Sequence, residues 1–309
     1  MLMGAWVVTA CATRAPQTTF KIKELPNFNR MTQYFGNNPD ELDILRQTGP
    51  FRYKIRPNLA ISLSRTKSLL ADVFTPNNAK APTPLVVFIH GSDSDKEAHR
   101  EQARQLASWG YFVLIADLPV RKVWRSNGRK IAMLVDMIRA WPKIIHEHVD
   151  TENIILVGHP FGGSAAIVAA SLTKVKGVVF LDPALVHSNV TTTLPKVEVP
   201  AILLGADRRV YTAKGRSEFF PSWGGPFAEI SILGADHDDA QFPTMIELWI
   251  GIDPFVHRGK QQLFLEFLSL SVFSIAANQG VEHFHKHVTE DVKRQLITAK
   301  SRRARHLID

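Results

Sequence analysis

The length, composition and charge of the chain exclude several classes of protein. At 309 residues, with 45% hydrophobic and 21% charged residues, it has the composition of a globular protein with ample apolar material for a large core. A single cysteine excludes an internal disulfide, and no apolar run is long enough to span a membrane. The formal net charge of +8 favours anionic surfaces such as phospholipid headgroups. No nucleic-acid-binding motif accompanies this charge, so we expect no nucleic-acid partner.

The first residues of the chain resemble an export signal. An apolar stretch over residues 2–8 leads into the segment VTAC, which ends at Cys11 and is similar to a bacterial lipobox. In a lipobox the cysteine becomes the lipidated first residue of the mature protein. The usual basic residues are missing, since no Lys or Arg precedes Cys11. We predict a signal segment over 1–11 and an exported bacterial lipoprotein, in the periplasm or at the outer membrane and held there by a lipid anchor at Cys11. The alternative is a plain apolar N-terminus.

The chain then alternates between strand-like and helical segments. Residues 12–50 are polar and contain Pro, Asn and Gly clusters, which predicts a tether and an irregular lead-in. Two strand-like segments follow, and we expect residues 51–63 to pair antiparallel with residues 69–74. Short apolar runs, each typical of a strand buried on both faces, occupy residues 85–89, 112–116, 154–157, 177–181, 201–204 and 229–233.

Helical patterns separate these runs. A helix is predicted over 97–109, and apolar residues recur at three- and four-residue steps from Ile131 to Ile145. Such alternation predicts an α/β fold, with a mostly parallel central sheet covered by helices on both faces and one domain over residues 51–280. About eighteen residues separate Asp182 from the next strand. This length is too short for a large lid domain, so we expect a shallow, open site.

The last part of the chain, residues 281–309, is basic and predicts a helix. It contains His283, His285 and His287, two of which have the spacing that places side chains on one helix face. Histidines in this arrangement can bind a metal, but no carboxylate or cysteine pattern completes a known site. A solvated helix face explains them better, and we expect no metal.

The most informative stretch is residues 154–170, IILVGHPFGGSAAIVAA. A short β-branched strand, a Gly-rich turn and a run of small residues suited to a closely packed helix follow one another. This is the context of a nucleophile elbow, whose pattern is Gly-x-Ser-x-Gly. Here the five positions read Gly158-His159-Pro160-Phe161-Gly162. Pro160 therefore occupies the position of the nucleophilic serine.

The other parts of a serine-hydrolase site have candidates in the expected chain order of nucleophile, acid and base. Such a site needs an imidazole to accept the serine proton, a carboxylate to orient the imidazole, and two N–H groups directed at the oxyanion. Asp182 ends the strand after the elbow, and His237 follows the last predicted strand. The backbone N–H groups of Ser92 and Phe161 are the predicted oxyanion donors.

Three motifs together carry a resemblance to a known family. The turn GHPFGG, the tripeptide LDP after the next strand and the loop GADHDDAQF resemble the platelet-activating-factor acetylhydrolase and chlorophyllase branch of the α/β-hydrolases, over about residues 50–250. In that branch the acid follows the strand after the elbow, which implies Asp182 as the acid and His237 as the base. The resemblance implies a calcium-independent serine esterase that acts on small acyl-ester or lipid substrates and needs no cofactor.

A second alignment gives a different acid. Polyester-hydrolase and cutinase-like relatives place the acid after the following strand, where this chain reads Gly205-Ala206-Asp207-Arg208-Arg209. Asp207 could serve, although Arg209 falls where that branch would have its acid. Asp182 is the preferred acid and Asp207 the alternative.

Proline at the nucleophile position has two consequences. It has no hydroxyl, so no acyl-enzyme can form there. Its ring also fixes φ near about −65°, whereas the elbow holds its nucleophile in a strained conformation. We therefore predict a relaxed turn in which the Phe161 N–H has moved away from the oxyanion position. Losing one such donor typically lowers the rate by about a hundredfold to a thousandfold.

Other serines do not obviously replace the nucleophile. Ser164 is predicted to point away from His237, whereas Ser92 and Ser94 lie on the oxyanion side with no evident base. Three hypotheses remain: an esterase that is impaired or dead, a working hydrolase that uses a displaced nucleophile or water, and a non-catalytic protein that binds lipid or acyl ligands.

Overall fold

A nine-stranded sheet forms the centre of the molecule in the computed structural model. The structure describes Met31, Phe35 and residues 44–77, 79–92, 94–118, 123–185, 188–208 and 215–302. The strands are β1 (Tyr53–Ser64), β2 (Lys67–Pro76), β3 (Thr83–Ile89), β4 (Phe112–Ala116), β5 (Val149–Gly158), β6 (Gly177–Leu181), β7 (Ala201–Ala206), β8 (Phe227–Ile232) and β9 (Ile297–Arg302).

The strand order is β1-β2-β4-β3-β5-β6-β7-β8-β9. The six strands from β4 to β8 in this order are parallel to one another. The pairs β1–β2, β2–β4 and β8–β9 are antiparallel. The predicted antiparallel pair at the start of the domain is therefore confirmed, and so is the mostly parallel sheet. Parallel strands place their carboxyl ends along one edge, which is where open α/β sheets bind their ligands.

Helices cover both faces of the sheet, as predicted. They are α1 (Arg100–Ser108), α2 (Trp124–Ala140), α3 (Gly162–Ala170), α4 (Ser188–Thr191), α5 (Phe219–Ser222), α6 (Met245–Ile250), α7 (Arg258–Ala276), α8 (Gly280–His287) and α9 (Thr289–Lys293). Helices α1, α7 and α8 pack on one face, and α2, α3 and α5 on the other. Strand β3 shows why: Val86 and Phe88 enter the first layer, while Leu85, Val87 and Ile89 enter the second. None of the described helices is long and apolar enough to cross a bilayer.

The lead-in contributes to the core, which corrects part of the predicted tether over 12–50. Met31, Phe35 and Leu45 are buried in the layer that contains α1 and α7. The ring of Phe35 meets the rings of Trp109 and Phe273 edge-on, with centroids 6.2 and 5.4 Å away. These apolar residues were spaced too widely among polar ones to show a periodic pattern. Cys11 and the predicted signal segment lie outside the described residues.

The predicted C-terminal helix over 281–309 is wrong over residues 294–302, and residues 303–309 lie outside the described part of the chain. Two short helices, α8 and α9, are followed by β9, which pairs antiparallel with β8 from Ile297 opposite Ile232 to Arg302 opposite Phe227. The domain therefore does not end at residue 280, because β9 extends its sheet. The physical reason is the edge of β8, whose row of backbone N–H and C=O groups is a template on which a further strand can pair.

Candidate active site

Asp182 and His237 lie together at the carboxyl edge of the sheet. Asp182 directly follows β6, and His237 opens a short 3-10 turn, His237–Ala240, after β8. The His237 Nδ1 and Asp182 Oδ2 atoms are 2.7 Å apart. Because an ionised carboxylate only accepts hydrogen bonds, His237 carries its proton on Nδ1 in this contact, which leaves Nε2 as the basic nitrogen. This arrangement can orient an imidazole for proton transfer.

Asp182 has a second charged partner that the sequence did not reveal. Arg216 Nη1 lies 2.6 Å from Asp182 Oδ1, and both side chains are buried. The Ala206 N–H donates to the same Oδ1 at 2.9 Å. Asp182 also has a φ of 36°, a left-handed conformation that Asp tolerates better than most residues. Its carboxylate is therefore fixed by donors from β7, from the loop after β7 and from His237.

The local sequence places His237 at its position in the turn. Gly234, with a φ of 70°, reverses the chain after β8. Asp239 then accepts a hydrogen bond from the Asp236 N–H at 2.8 Å, which closes the turn around His237. The same Asp239 carboxylate accepts from the His257 N–H at 2.7 Å. The turn that carries the imidazole is thus tied to the residue that precedes α7.

The elbow around Pro160 has the relaxed backbone predicted from the proline ring. None of residues 158–163, all of them described, has a positive φ, and Phe161 lies at φ −76° and ψ −20°. The Pro160 ring packs against the strand end opposite it, where a Cβ on Gly91 would lie 2.0 Å from Pro160 Cδ. Gly162 likewise allows α3 to approach β3, since a Cβ there would lie 2.0 Å from the Ile89 oxygen. The predicted displacement of the Phe161 N–H remains a prediction.

A cleft of about 230 Å³ joins these elements. It brings the nucleophile position, the imidazole and one predicted oxyanion residue into one space. Its lining comprises Ser92, Pro160, His237, Asp238, Gln241, Thr244, Met245, Ile246 and Asp253. Partial desolvation and the neighbouring carboxylates, chiefly Asp253, raise the pKa of Asp238, although the His237 charge opposes them. The cleft therefore combines a base with carboxyl groups and a few apolar side chains.

The serines near the cleft differ in orientation. Ser164 lies in α3, and its hydroxyl donates to the Ala184 carbonyl at 2.9 Å, so it is turned away from His237 as predicted. Ser94 is buried, with a long contact of 3.5 Å to the Asp95 carbonyl. Ser92 lines the cleft that also contains His237. Its loop is held by His90, whose Nε2 accepts from the Leu118 N–H at 2.9 Å.

Two buried histidines lie behind His237. The His159 ring stacks on the His237 ring with centroids 4.6 Å apart, and His99 meets His159 edge-on at 5.4 Å. Burial is the main cause that lowers the pKa of His159 well below its usual value, and the neighbouring His237 adds to it. Burial also lowers the pKa of His99 to about 4. Both rings are therefore neutral at pH 7 and form an uncharged wall behind His237.

The alternative acid, Asp207, has a different environment. It follows β7 and is exposed, and its Oδ2 accepts a long hydrogen bond of 3.4 Å from the Gly234 N–H. Arg209, which the rival alignment equates with the acid, lies outside the described residues. The carboxylate that contacts His237 Nδ1 is that of Asp182.

The tail histidines take part in packing. His283 Nδ1 lies 2.9 Å from Ser274 Oγ, and the His283 ring lies 4.4 Å from that of His287. Burial and the nearby His287 lower the pKa of His283 to about 4. Within the described part of the chain, no group of three or more His, Cys, Asp or Glu residues is placed to hold a metal ion.

The parallel sheet, the elbow between β5 and α3, and the Asp182–His237 pair at the sheet edge define an α/β protein of hydrolase type. The chain belongs to the alpha/beta hydrolase family, whose model matches residues 86–269. This match confirms the predicted fold class and covers the elbow, both candidate acids and the base. A comparison with curated proteins finds no match. The narrower platelet-activating-factor acetylhydrolase and chlorophyllase branch remains a prediction.

Sequence reasoning missed two residues that shape the site. Arg216 belongs to the segment between β7 and β8, where no periodic pattern indicates which side chain turns inward. Gln241 lies with its Nε2 3.4 Å from His159 Nδ1, while its carbonyl accepts from Gln261 at 2.8 Å. Its position near the end of the GADHDDAQF loop could have indicated that Gln241 belongs to the site, because the same loop contains His237.

Proposed function

We propose that the chain is a serine-esterase-type α/β-hydrolase that keeps its acid–base pair and lacks its nucleophile. The observation that carries the proposal is the 2.7 Å contact between His237 Nδ1 and Asp182 Oδ2 beside a cleft that Pro160 lines. The pair can orient an imidazole that accepts a proton, but Pro160 offers no hydroxyl to attack an acyl carbon. We propose acyl esters as the substrate class, with hydrolysis that is weak or absent in the chain as it stands.

The chemistry explains why the loss is severe. In a serine esterase the hydroxyl oxygen bonds to the acyl carbon, its proton moves to the imidazole, and the alcohol then leaves with that proton. Without the hydroxyl, His237 could accept a proton only from a water that attacks the ester directly. When the nucleophile of such a site is removed, the remaining groups give about a thousandfold to ten-thousandfold acceleration over water. This is far below the rate of an intact site.

The test compares the chain with its Pro160→Ser variant on a short-chain chromogenic ester. We expect hydrolysis by the variant, since the substitution supplies a hydroxyl in the His237 cleft and removes the ring that fixes φ. Adding His237→Ala to the variant should remove that hydrolysis. Ser164→Ala in the same background is the matched control and should leave the rate within about twofold, because its hydroxyl is turned toward Ala184.

Other results would assign the site differently. Hydrolysis by the unaltered chain that disappears with His237→Ala would contradict the loss of the nucleophile, and Ser92→Ala would then show whether Ser92 has replaced it. Inactivity of both proteins would overturn the esterase proposal and favour a protein that binds acyl or lipid ligands without turnover. Thermal stabilisation by a fatty acid would then support binding.

The cellular location rests on the sequence alone. We propose that the chain is exported and attached to a bacterial membrane through a lipid on Cys11, and this residue lies outside the described part of the structure.

A further inference from the structure

One residue of the elbow has no role in the serine-hydrolase pattern but contacts the candidate base. His159 stands between Gly158 and Pro160, at a position that the pattern Gly-x-Ser-x-Gly leaves open. Its side chain is buried, and its ring lies 4.6 Å from that of His237 between centroids, with an angle of 17° between the two ring planes. The two imidazoles are therefore stacked and nearly parallel.

The His159 ring belongs to a rigid part of the fold. Its backbone N–H donates to the Ile89 carbonyl at 3.0 Å, and its carbonyl accepts from the Gly162 N–H at 3.2 Å. The ring of His99 meets it edge-on at 5.4 Å, and His99 Nδ1 in turn lies 2.7 Å from Gln102 Oε1. Close-packed side chains of this kind have little room to move. His159 therefore presents a fixed flat surface to His237.

A single hydrogen bond does not fix the plane of an imidazole. The 2.7 Å contact between His237 Nδ1 and Asp182 Oδ2 holds one atom of the ring, and the ring can still turn about the line that joins these two atoms. Such a turn changes the direction of Nε2, the basic nitrogen. Stacking on a fixed ring prevents the turn, because a tilted imidazole would collide with His159. A displacement of about 1 Å in a reacting group can lower a rate by about a hundredfold.

The stacked ring is also suited to this position because it is uncharged. When His237 accepts a proton it becomes positive, and a second positive charge on a ring 4.6 Å away would oppose that step. Burial, aided by the nearby His237, lowers the pKa of His159 well below its usual value, so its ring is neutral at pH 7. The face of a neutral aromatic ring is compatible with an adjacent cation.

We propose that His159 is a positioning residue that fixes the plane of the His237 imidazole and, with it, the direction of Nε2. His159 acts through His237, since it is not among the described residues that line the cleft. That this orientation serves ester hydrolysis rests on the proposed function, whereas the positioning itself does not.

The experiment observes the His237 Nδ1–H proton by nuclear magnetic resonance in the full chain, with isotopic nitrogen in its histidine rings. A hydrogen bond to a carboxylate protects this proton from exchange with water. His237→Ala identifies the signal by its loss. The test variant is His159→Leu, which fills a similar volume without a flat ring, and His159→Phe restores the flat ring. The matched control is His283→Leu, because His283 is also partly buried and lies 4.4 Å from another histidine ring, that of His287.

We expect the unaltered chain to show the signal, together with nuclear Overhauser contacts between the rings of His159 and His237. In His159→Leu the proton should exchange at least about tenfold faster, because the imidazole turns away from Asp182 more often. His159→Phe and His283→Leu should keep the parent rate within about twofold. Thermal unfolding confirms that each variant is folded.

Three results would overturn the proposal: an unchanged exchange rate in His159→Leu, equally fast exchange in His159→Phe, or no contacts between the two rings in the unaltered chain. The last measurement needs no variant, so it decides the question even if His159→Leu does not fold.

Turnover separates positioning from general structural support. In the Pro160→Ser background, His159→Leu should lower kcat by about tenfold or more and change KM by less than about twofold, because a misaligned base acts in the transition state. His159→Phe should restore kcat. A change in KM alone would contradict the assignment. An inactive Pro160→Ser protein would overturn the proposed function, and the exchange measurement on the unaltered chain would still decide the role of His159.

Discussion

At the scale of single residues, the Asp182 carboxylate contacts two side chains at once, in addition to the Ala206 N–H. One carboxylate oxygen accepts from His237, and the other accepts from Arg216. The imidazole side faces the cleft, whereas the guanidinium side is buried beneath it, where Arg216 Nη1 also donates to the Ala206 carbonyl at 2.6 Å. The orientation of the candidate base therefore depends on a buried ion pair, which connects the chemistry of the site to the stability of the fold.

Substituting Arg216 with Ala should destabilise the protein strongly. Removing one member of a buried pair leaves the other charge uncompensated, which typically costs about 3–5 kcal/mol in the free energy of unfolding. Arg208→Ala is the matched control, because its pair with Asp236 is exposed and such pairs contribute up to about 1 kcal/mol. Chemical denaturation of both variants provides the measurement. Similar losses in the two would show that the Arg216 pair contributes no more than a surface contact.

The sequence predicted the site residues to different degrees, for physical reasons. Asp182 and His237 could be found because Asp182 directly follows a strand and His237 lies in the turn after another, and the ends of parallel strands meet at one edge of the sheet. Arg216 could not, since its contact with Asp182 spans 34 residues and depends on how an aperiodic segment folds back. The relaxed turn at Pro160 could be predicted from the sequence, because a proline ring restricts φ in any context.

At the scale of elements, β9 closes the edge of the sheet that β8 would otherwise expose. Ile297 is the buried residue of this strand, and it packs in the layer of α7 and α8. Arg302 at the other end donates to the carbonyls of Phe220 and Gly225. The strand escaped prediction because only Ile297 and Ala299 alternate as apolar residues. Whether so short a pattern forms a strand depends on the partner strand beside it, which the local sequence does not reveal.

Replacing Ile297 with Ala should therefore be costly. A buried Ile→Ala change typically lowers the free energy of unfolding by about 2–5 kcal/mol, from lost burial and the cavity left behind. The neighbouring Thr298 is exposed in the same strand, and Thr298→Ala should change stability by less than about 0.5 kcal/mol. Thermal unfolding of the two variants tests this expectation. Equal midpoints would mean that β9 does not contribute its buried face to the fold.

At the scale of the whole molecule, stability should depend on pH through buried histidines. His159 is fully enclosed beside His237, and His99 stacks on Phe88 with centroids 5.5 Å apart while its Nδ1 lies 2.7 Å from Gln102 Oε1. Folding buries both of these neutral rings, and a positive charge is poorly solvated in such an environment. Protonation therefore opposes the folded state as a whole.

We expect the protein to lose stability as the pH falls from about 6.5 to about 4. In this window the unfolded chain binds protons that the folded His99, with its pKa lowered to about 4, does not bind. The free energy of unfolding therefore rises with pH there, by on the order of 3 kcal/mol for His99 alone. The midpoint of thermal unfolding across this range provides the measurement. His99→Gln should flatten the dependence, whatever it does to stability at pH 7, and an unchanged slope would exclude His99 as a cause.

The ion pair beneath the site has an evolutionary consequence. One base change converts a serine codon into a proline codon and ends acyl transfer without disturbing any buried charge. Losing Asp182 is different, because it would leave Arg216 enclosed without its carboxylate. Under the proposed function, selection for a folded protein is therefore enough to maintain Asp182 in a lineage that no longer uses it as an acid. The proposed acid–base pair would then persist after the reaction was lost, and one reverse mutation at Pro160 would restore the missing hydroxyl.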